Sequence, residues 1–119
     1  MKTYRILELE VLRWATDRKI SPNSTPYAQA TKLVEEADET LDAARRLKID
    51  KQAGLSEDDP VYQKAMDDFQ DGVGDCMVCL INACALADVD LVECLEKAYN
   101  EIKDRKGTMN KDGIFVKES

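Results

Sequence analysis

The sequence of 119 residues contains no histidine. This absence excludes Ser-His-Asp and Cys-His catalysis, zinc sites that use histidine, and the Glu-x-x-His motif of di-iron bundles. Any acid–base or metal chemistry must therefore use carboxylates, with lysine, tyrosine or cysteine in minor roles.

Long apolar segments are also missing. No apolar run reaches the roughly 20 residues that span a bilayer, and the charged amino-terminal segment lacks the apolar core of a signal peptide. The net charge of −7, from 24 acidic and 17 basic residues, argues against non-specific binding of nucleic acid, because phosphates would be repelled. We therefore expect a cytoplasmic protein that binds neither membranes nor nucleic acid.

The four cysteines raise the question of metal or redox chemistry, because two of them are spaced Cys-x-x-Cys. They are Cys76, Cys79, Cys84 and Cys94. The spaced pair lies within a long apolar helical segment, where thiols usually act as small hydrophobic side chains. Core packing is the favoured interpretation, metal or redox use is the alternative, and free thiols fit a reducing cytoplasm.

Apolar periodicity predicts four helices and a single domain over residues 1–119. The helices are expected at 3–17, 26–48, 61–87 (with a kink or a break near Gly72 and Gly74) and from Asp90 to about 105, before an irregular tail or short hairpin over 108–119. Short connections between helices predict an all-α fold of the four-helix bundle type. Domains of this size often gain stability by forming oligomers.

The second helix carries a cluster of acidic residues. At about 100° per residue, Glu35, Glu36 and Glu39 share roughly a quarter turn that borders the apolar face. Such like charges repel one another, and a bound cation would convert the repulsion into coordination. The alternative is a solvated acidic face, since acidic runs on helices are common.

The third helix is apolar over residues 73–87 except for Asp75 and Asn82, and Asp71 lies one turn before Asp75. A helix that is apolar on nearly all sides is expected to be buried, and a buried carboxylate needs a partner. A divalent cation shared with the glutamates of the second helix would supply one. The alternatives are that Asp75 is the N-cap of a helix beginning at Cys76, and that Asn82 forms a hydrogen bond in the core. Carboxylate ligands without histidine or cysteine favour Mg²⁺, with Mn²⁺ possible.

Several motifs together resemble those of the MazG-like nucleoside triphosphate pyrophosphohydrolases, of the phage-type and bacterial single-domain kind. Residues 32–39, KLVEEADE, resemble the family's K-L-x-E-E-x-x-E motif, and residues 71–75, DGVGD, resemble its second acidic motif. Residues 94–107 are similar to the helix near the phosphates, and residues 14–18, WATDR, resemble a W-x-x-x-R opening. The resemblance covers most of the chain.

The resemblance implies Mg²⁺-dependent hydrolysis of a nucleoside triphosphate, often a deoxy or non-standard one, to the monophosphate and pyrophosphate by an all-α homodimer or homotetramer. It implies that Glu36, Glu39 and Asp75 are metal ligands, and that Glu35 is a further ligand or the base that orients water. The substrate-binding residues would be Trp14, Lys32, Asn82, Asn100, Lys103 and Arg105. Trp14 would stack on the base, although a place in the core or in a dimer interface is the alternative.

The chain departs from the family pattern at Gly72, where many members have glutamate. Asp71, one helical turn before Asp75, is expected to replace that ligand. The departure leaves a non-catalytic, nucleotide-binding helical bundle as the second hypothesis. A helical interaction protein whose acidic residues are simply solvated is the third.

Overall fold

The computed structural model describes residues 1–118, which form five helices and a two-stranded sheet in two compact units. The first unit, residues 1–88, contains α1 (Tyr4–Asp17), α2 (Ile20–Asn23), α3 (Pro26–Gln52) and α4 (Pro60–Leu86). The second contains α5 (Leu91–Ile102) and the antiparallel strands β1 (Gly107–Met109) and β2 (Phe115–Lys117). None of the helices in residues 1–118 combines the length and apolarity that crossing a bilayer requires.

The starts of the long helices follow from their capping residues. The Thr25 hydroxyl accepts a hydrogen bond from the backbone N–H of Ala28 at 3.0 Å, and a proline occupies the first turn of α3. The Asp59 carboxylate accepts one from the N–H of Val61 at 2.9 Å, again followed by proline. These caps satisfy donors that a helix leaves free at its first turn.

The four predicted helices are confirmed, with small shifts at their ends. The second helix continues to Gln52, and the tail forms the short hairpin given as one of its two expected forms. The third helix runs through Gly72 and Gly74 without a break, so the break considered there is absent. The all-α class is confirmed, whereas the four-helix bundle and the single domain over residues 1–119 stay predictions.

Helices α3 and α4 make the most extensive contact in the first unit, and α1 and α2 also pack on α4. Arg46 pairs with Asp68 and Thr40 approaches Cys76, so the two long helices are antiparallel. The buried apolar residues are mostly small, and no large side chain within residues 1–118 is fully buried. They are Ala15, Ala43, Ala65, Cys79 and Ile81. Small residues at this contact let the two backbones approach closely.

The expectation that residues 73–87 are buried on nearly all sides is wrong. Val73 and Met77 are 44% and 38% exposed, and Asp75 is exposed as well. Asp75 is not an N-cap either, because α4 begins fifteen residues earlier and is capped by Asp59. Apolar side chains on all sides indicated burial, but a single α3–α4 contact covers only part of the surface of α4.

Candidate functional site

The centre of the acidic cluster is Glu36, which is only 9% exposed. Its Oε1 atom lies 3.5 Å from the Nζ atom of Lys32, which is a loose ion pair. Its Oε2 atom is buried and has no hydrogen-bond partner among the described residues. A buried carboxylate oxygen without a partner is costly, so this atom marks a place where a donor or a cation would be stabilising.

Two further carboxylates lie close enough to Glu36 to interact with it. The negative charge of Glu36 is the main cause that raises the pKa of Glu39 above its usual value. Partial loss of hydration is the main cause that raises the pKa of Asp75, followed by the charges of Glu36 and Asp71 and a hydrogen-bond contact with Glu36. Asp75 is therefore exposed as a residue, although its carboxyl group is partly shielded from water. The negative charge of Glu36 thus disfavours the charged forms of two acidic groups, one on α3 and one on α4.

An acidic groove of about 530 Å³ extends from this cluster between α3 and α4. It is lined by Asp38, Glu39, Asp42, Arg46, Asp68, Asp71, Gly72 and Asp75. Arg46 neutralises part of this charge by forming ion pairs with Asp68, at 2.9 Å from Nη2 to Oδ2, and with Asp42, at 3.3 Å from Nε to Oδ2. At the other end of the groove, near Asp71 and Asp75, no basic residue among residues 1–118 lines the wall.

A second cavity, of about 430 Å³, shares Asp75 with the groove. It is lined by Trp14, Ile20, Gln29, Lys32, Glu36, Asp75, Val78, Cys79 and Asn82. Apolar walls, an aromatic ring and side-chain amides are typical of small-molecule sites. The ring of Trp14 is 44% exposed, so the alternative of a core tryptophan is wrong.

Asn82 is only 3% exposed and lines this cavity. Its side-chain amide makes no hydrogen bond within the described part of the chain. Nearby, Gln29 donates through Nε2 to the Ser24 hydroxyl at 3.1 Å, which leaves its Oε1 atom as an acceptor. Two buried or half-buried amides therefore present donors and acceptors toward the same space.

No protein-family model, curated protein or solved structure matches this chain. The chemistry of the site therefore rests on the residues that line it. Within residues 1–118, no three Asp, Glu or Cys side chains are placed so that they could hold one metal ion together. Glu39 and Asp75 are both exposed, so packing does not hold either side chain in a fixed position.

The other predicted site residues lie in two places. Glu35 is exposed and pairs with Lys32 at 3.0 Å, and this hydrogen bond is the main cause that raises the pKa of Lys32. In the second unit, Asn100 and Arg105 line a common pocket and Lys103 is the C-cap of α5.

Sequence reasoning missed Gln29 and the residues of α2 that complete the cavity. Gln29 could have been found, because it lies seven residues before Glu36 and therefore on the same side of α3. The place of Ile20 in the cavity could not be predicted from the sequence. It depends on a helix of four residues, which is too short to show an apolar periodicity. Arg46 and Asp68 were missed because they pair across two helices.

The Asp68 ion pairs give a pH-dependent stability that can be measured. Hydrogen bonds from Lys64 and Arg46 lower the pKa of Asp68 below its ordinary value of 3.8. The stabilisation is therefore present above pH 3.8 and lost as pH falls through the lowered pKa. Asp68→Asn should lower the urea midpoint near neutral pH, and the difference from the wild type should shrink toward zero in acid. Asp67→Asn, a neighbour without an ion pair, should show little difference at any pH, and a pH-independent difference for Asp68→Asn would contradict the assignment.

Proposed function

We propose that this chain is a Mg²⁺-dependent nucleoside triphosphate pyrophosphohydrolase, which acts in the cytoplasm as a homodimer or homotetramer. The observation that supports this most directly is the Oε2 atom of Glu36, which is buried and has no hydrogen-bond partner among the described residues. The charge of Glu36 also raises the pKa of Glu39 and, together with loss of hydration, that of Asp75. A divalent cation would stabilise this arrangement in two ways. It would coordinate the unpartnered oxygen, and it would offset the repulsion between Glu36 and the two neighbouring carboxylates.

The donor set fits Mg²⁺. Glu36, Glu39 and Asp75 would supply carboxylate oxygens, and Asp71 would add a fourth. Mg²⁺ or Mn²⁺ prefers such ligands and keeps positions for water and phosphate oxygens. When bound, the metal neutralises the charge on the phosphates and promotes attack by water.

The remaining residues of the first unit would bind and orient the substrate. Glu35, exposed beside the cluster, would orient the attacking water as a general base. Lys32, at the boundary of the cluster and the cavity, would contact the phosphates. Trp14 would stack on the base and the Asn82 amide would form hydrogen bonds with the edge of the base.

The direct test is to incubate the purified protein with single nucleoside triphosphates and Mg²⁺ and to quantify pyrophosphate. We expect release of one pyrophosphate for each monophosphate. Glu39→Gln and Asp75→Asn should each reduce turnover by about 10²-fold or more, because each removes a charge that is needed where the phosphates react. Glu10→Gln, a change to an exposed acid on α1 that pairs with Lys2, should have no effect. Full activity in both site variants would refute the assignment.

A non-catalytic nucleotide-binding protein is the second candidate, and the position of Gly72 favours it. Gly72 is buried, and a side chain there would meet Thr40. A glutamate ligand at this position, as in much of the family that the chain resembles, therefore cannot fit without moving α3. Calorimetric binding of a triphosphate without pyrophosphate release would support this candidate.

A further inference from the structure

Lys32 supplies a positive charge to the acidic cluster. Its Nζ atom donates a hydrogen bond to Oε2 of Glu35 at 3.0 Å and lies 3.5 Å from Oε1 of Glu36. The three residues lie on one side of α3, because positions three and four apart are neighbours on a helix. The ammonium group therefore contacts two of the carboxylates that the proposed metal ion would also approach.

The charge of Lys32 also acts on the two other carboxylates of the cluster. The pKa of Glu39 is raised mainly by the charge of Glu36, and the charge of Lys32 opposes that rise. The pKa of Asp75 is raised mainly by partial loss of hydration, and Lys32 opposes that rise as well. One ammonium group thus serves four carboxylates, and it leaves the buried Oε2 atom of Glu36 without a hydrogen-bond partner among the described residues.

The same ammonium group is important for the cavity. Among the described residues that line the cavity, Lys32 alone is basic, while Glu36 and Asp75 are acidic. The phosphates of a nucleotide whose base enters this cavity would therefore meet two carboxylates and a lysine that is already paired. Their repulsion should keep nucleotide binding weak as long as Lys32 stays with Glu35 and Glu36.

The contacts that hold Lys32 at the carboxylates are weak. The side chains of Lys32 and Glu35 are 52% and 60% exposed. Ion pairs that water reaches so freely contribute little to stability, and the flexible stem of lysine allows the ammonium group to turn toward another anion. A divalent cation carries twice the charge of the ammonium group and would repel it from Glu36.

We propose that Lys32 holds the place of the metal ion at Glu36 and turns to the substrate phosphates when Mg²⁺ takes that place. This inference rests on the proposed function, because it assumes a metal ion at Glu36 and a nucleotide in the cavity. The exchange makes the two binding events cooperative, since Mg²⁺ releases the one ammonium group that the phosphates need. Such coupling is reciprocal, so the nucleotide tightens the binding of Mg²⁺ by the same factor.

The first test measures metal affinity in the absence of nucleotide. Mn²⁺ replaces Mg²⁺, because electron paramagnetic resonance distinguishes free from bound Mn²⁺. Lys32→Met removes the competing charge and should lower the dissociation constant of Mn²⁺ by about 3- to 10-fold. Lys48→Met removes an exposed lysine about 24 Å further along α3 and should leave the constant unchanged, because salt screens charges at that distance.

The second test separates an exchange of partners from a simple change of charge. Binding of α,β-imido analogues of the common deoxynucleoside triphosphates is followed, into the millimolar range, by the fluorescence of Trp14, the single tryptophan. With Mg²⁺, Lys32→Met should weaken binding of the tightest analogue by about 10-fold or more. With chelator, the same substitution should change binding little, because Lys32 of the wild type is then paired with Glu35 and Glu36.

The outcomes distinguish this inference from the function on which it rests. A wild type that binds no Mn²⁺ would overturn both. Unchanged Mn²⁺ affinity in Lys32→Met, or equal weakening of the analogue with Mg²⁺ and with chelator, would overturn the exchange and leave the proposed hydrolysis in place. Loss of the fold is a small risk, because Lys32 is exposed and methionine is a strong helix former, and circular dichroism checks it.

Discussion

Glu36→Gln should raise the melting temperature of the metal-free protein and abolish its stabilisation by Mg²⁺. The substitution keeps the shape of the side chain and removes the negative charge that raises the pKa values of Glu39 and Asp75. It also replaces an unpartnered carboxylate oxygen by a neutral amide. Without the central ligand, the remaining carboxylates should bind the cation far more weakly.

The measurement is thermal unfolding of both proteins with chelator and with increasing Mg²⁺. At ten times its dissociation constant, Mg²⁺ should stabilise the wild type by about 1.4 kcal/mol, or roughly 5 °C for a domain of this size. Glu36→Gln should show no such shift, and its pyrophosphate release should fall by about 10²- to 10³-fold. Asp67→Asn, an exposed acid outside the groove, should behave like the wild type in both assays. Equal Mg²⁺ shifts in Glu36→Gln and the wild type would remove the basis of the proposed site.

Gly72→Ala and Gly74→Ala should change stability in opposite directions. A Cβ atom on Gly72 would lie 3.0 Å from the Cβ and 3.1 Å from the Cα of Thr40, and closer still to its hydroxyl oxygen. The same atom on Gly74 would have nothing within 4 Å. Overpacking a close helix contact costs about 1–3 kcal/mol, whereas Gly→Ala in an exposed helix interior gains about 1 kcal/mol.

Two residues apart on one helix, these glycines form a matched pair for thermal unfolding. Gly74→Ala should melt about 3–5 °C higher than the wild type. Gly72→Ala should melt lower, because the clash exceeds the gain in helix propensity. Shifts of the same sign and size would mean that α3 and α4 are farther apart than the Gly72–Thr40 contact indicates.

The sequence allowed the long helices to be predicted because their signals are local. Thr25 and Asp90 are recognisable caps, and apolar spacing of three and four residues marks the helices between them. Glu36 on α3 and Asp75 on α4 also line one cavity, while their predicted role as shared metal ligands stays a prediction. Both inferences depend on helical geometry, which sequence spacing determines directly.

The exposure of Asp75 could not be predicted in the same way. Apolar residues on all sides of α4 indicated a central helix, but burial depends on how many neighbours are available, and one chain supplies too few. The short helix α2 and the position of Ile20 in the cavity depend on tertiary contacts of a four-residue segment. The Arg46–Asp68 pair likewise exists only because two distant parts of the chain are antiparallel.

The small residues along the α3–α4 contact determine which positions of the hairpin can vary. Ala43, Ala65 and Gly72 lie where α3 and α4 face each other, and the close approach of the two backbones there leaves no space for larger side chains. A saturation library of this hairpin should therefore separate into two classes of position. The inner positions would reject larger side chains under any selection, and the acidic positions of the groove would reject loss of charge only when the library is selected for activity.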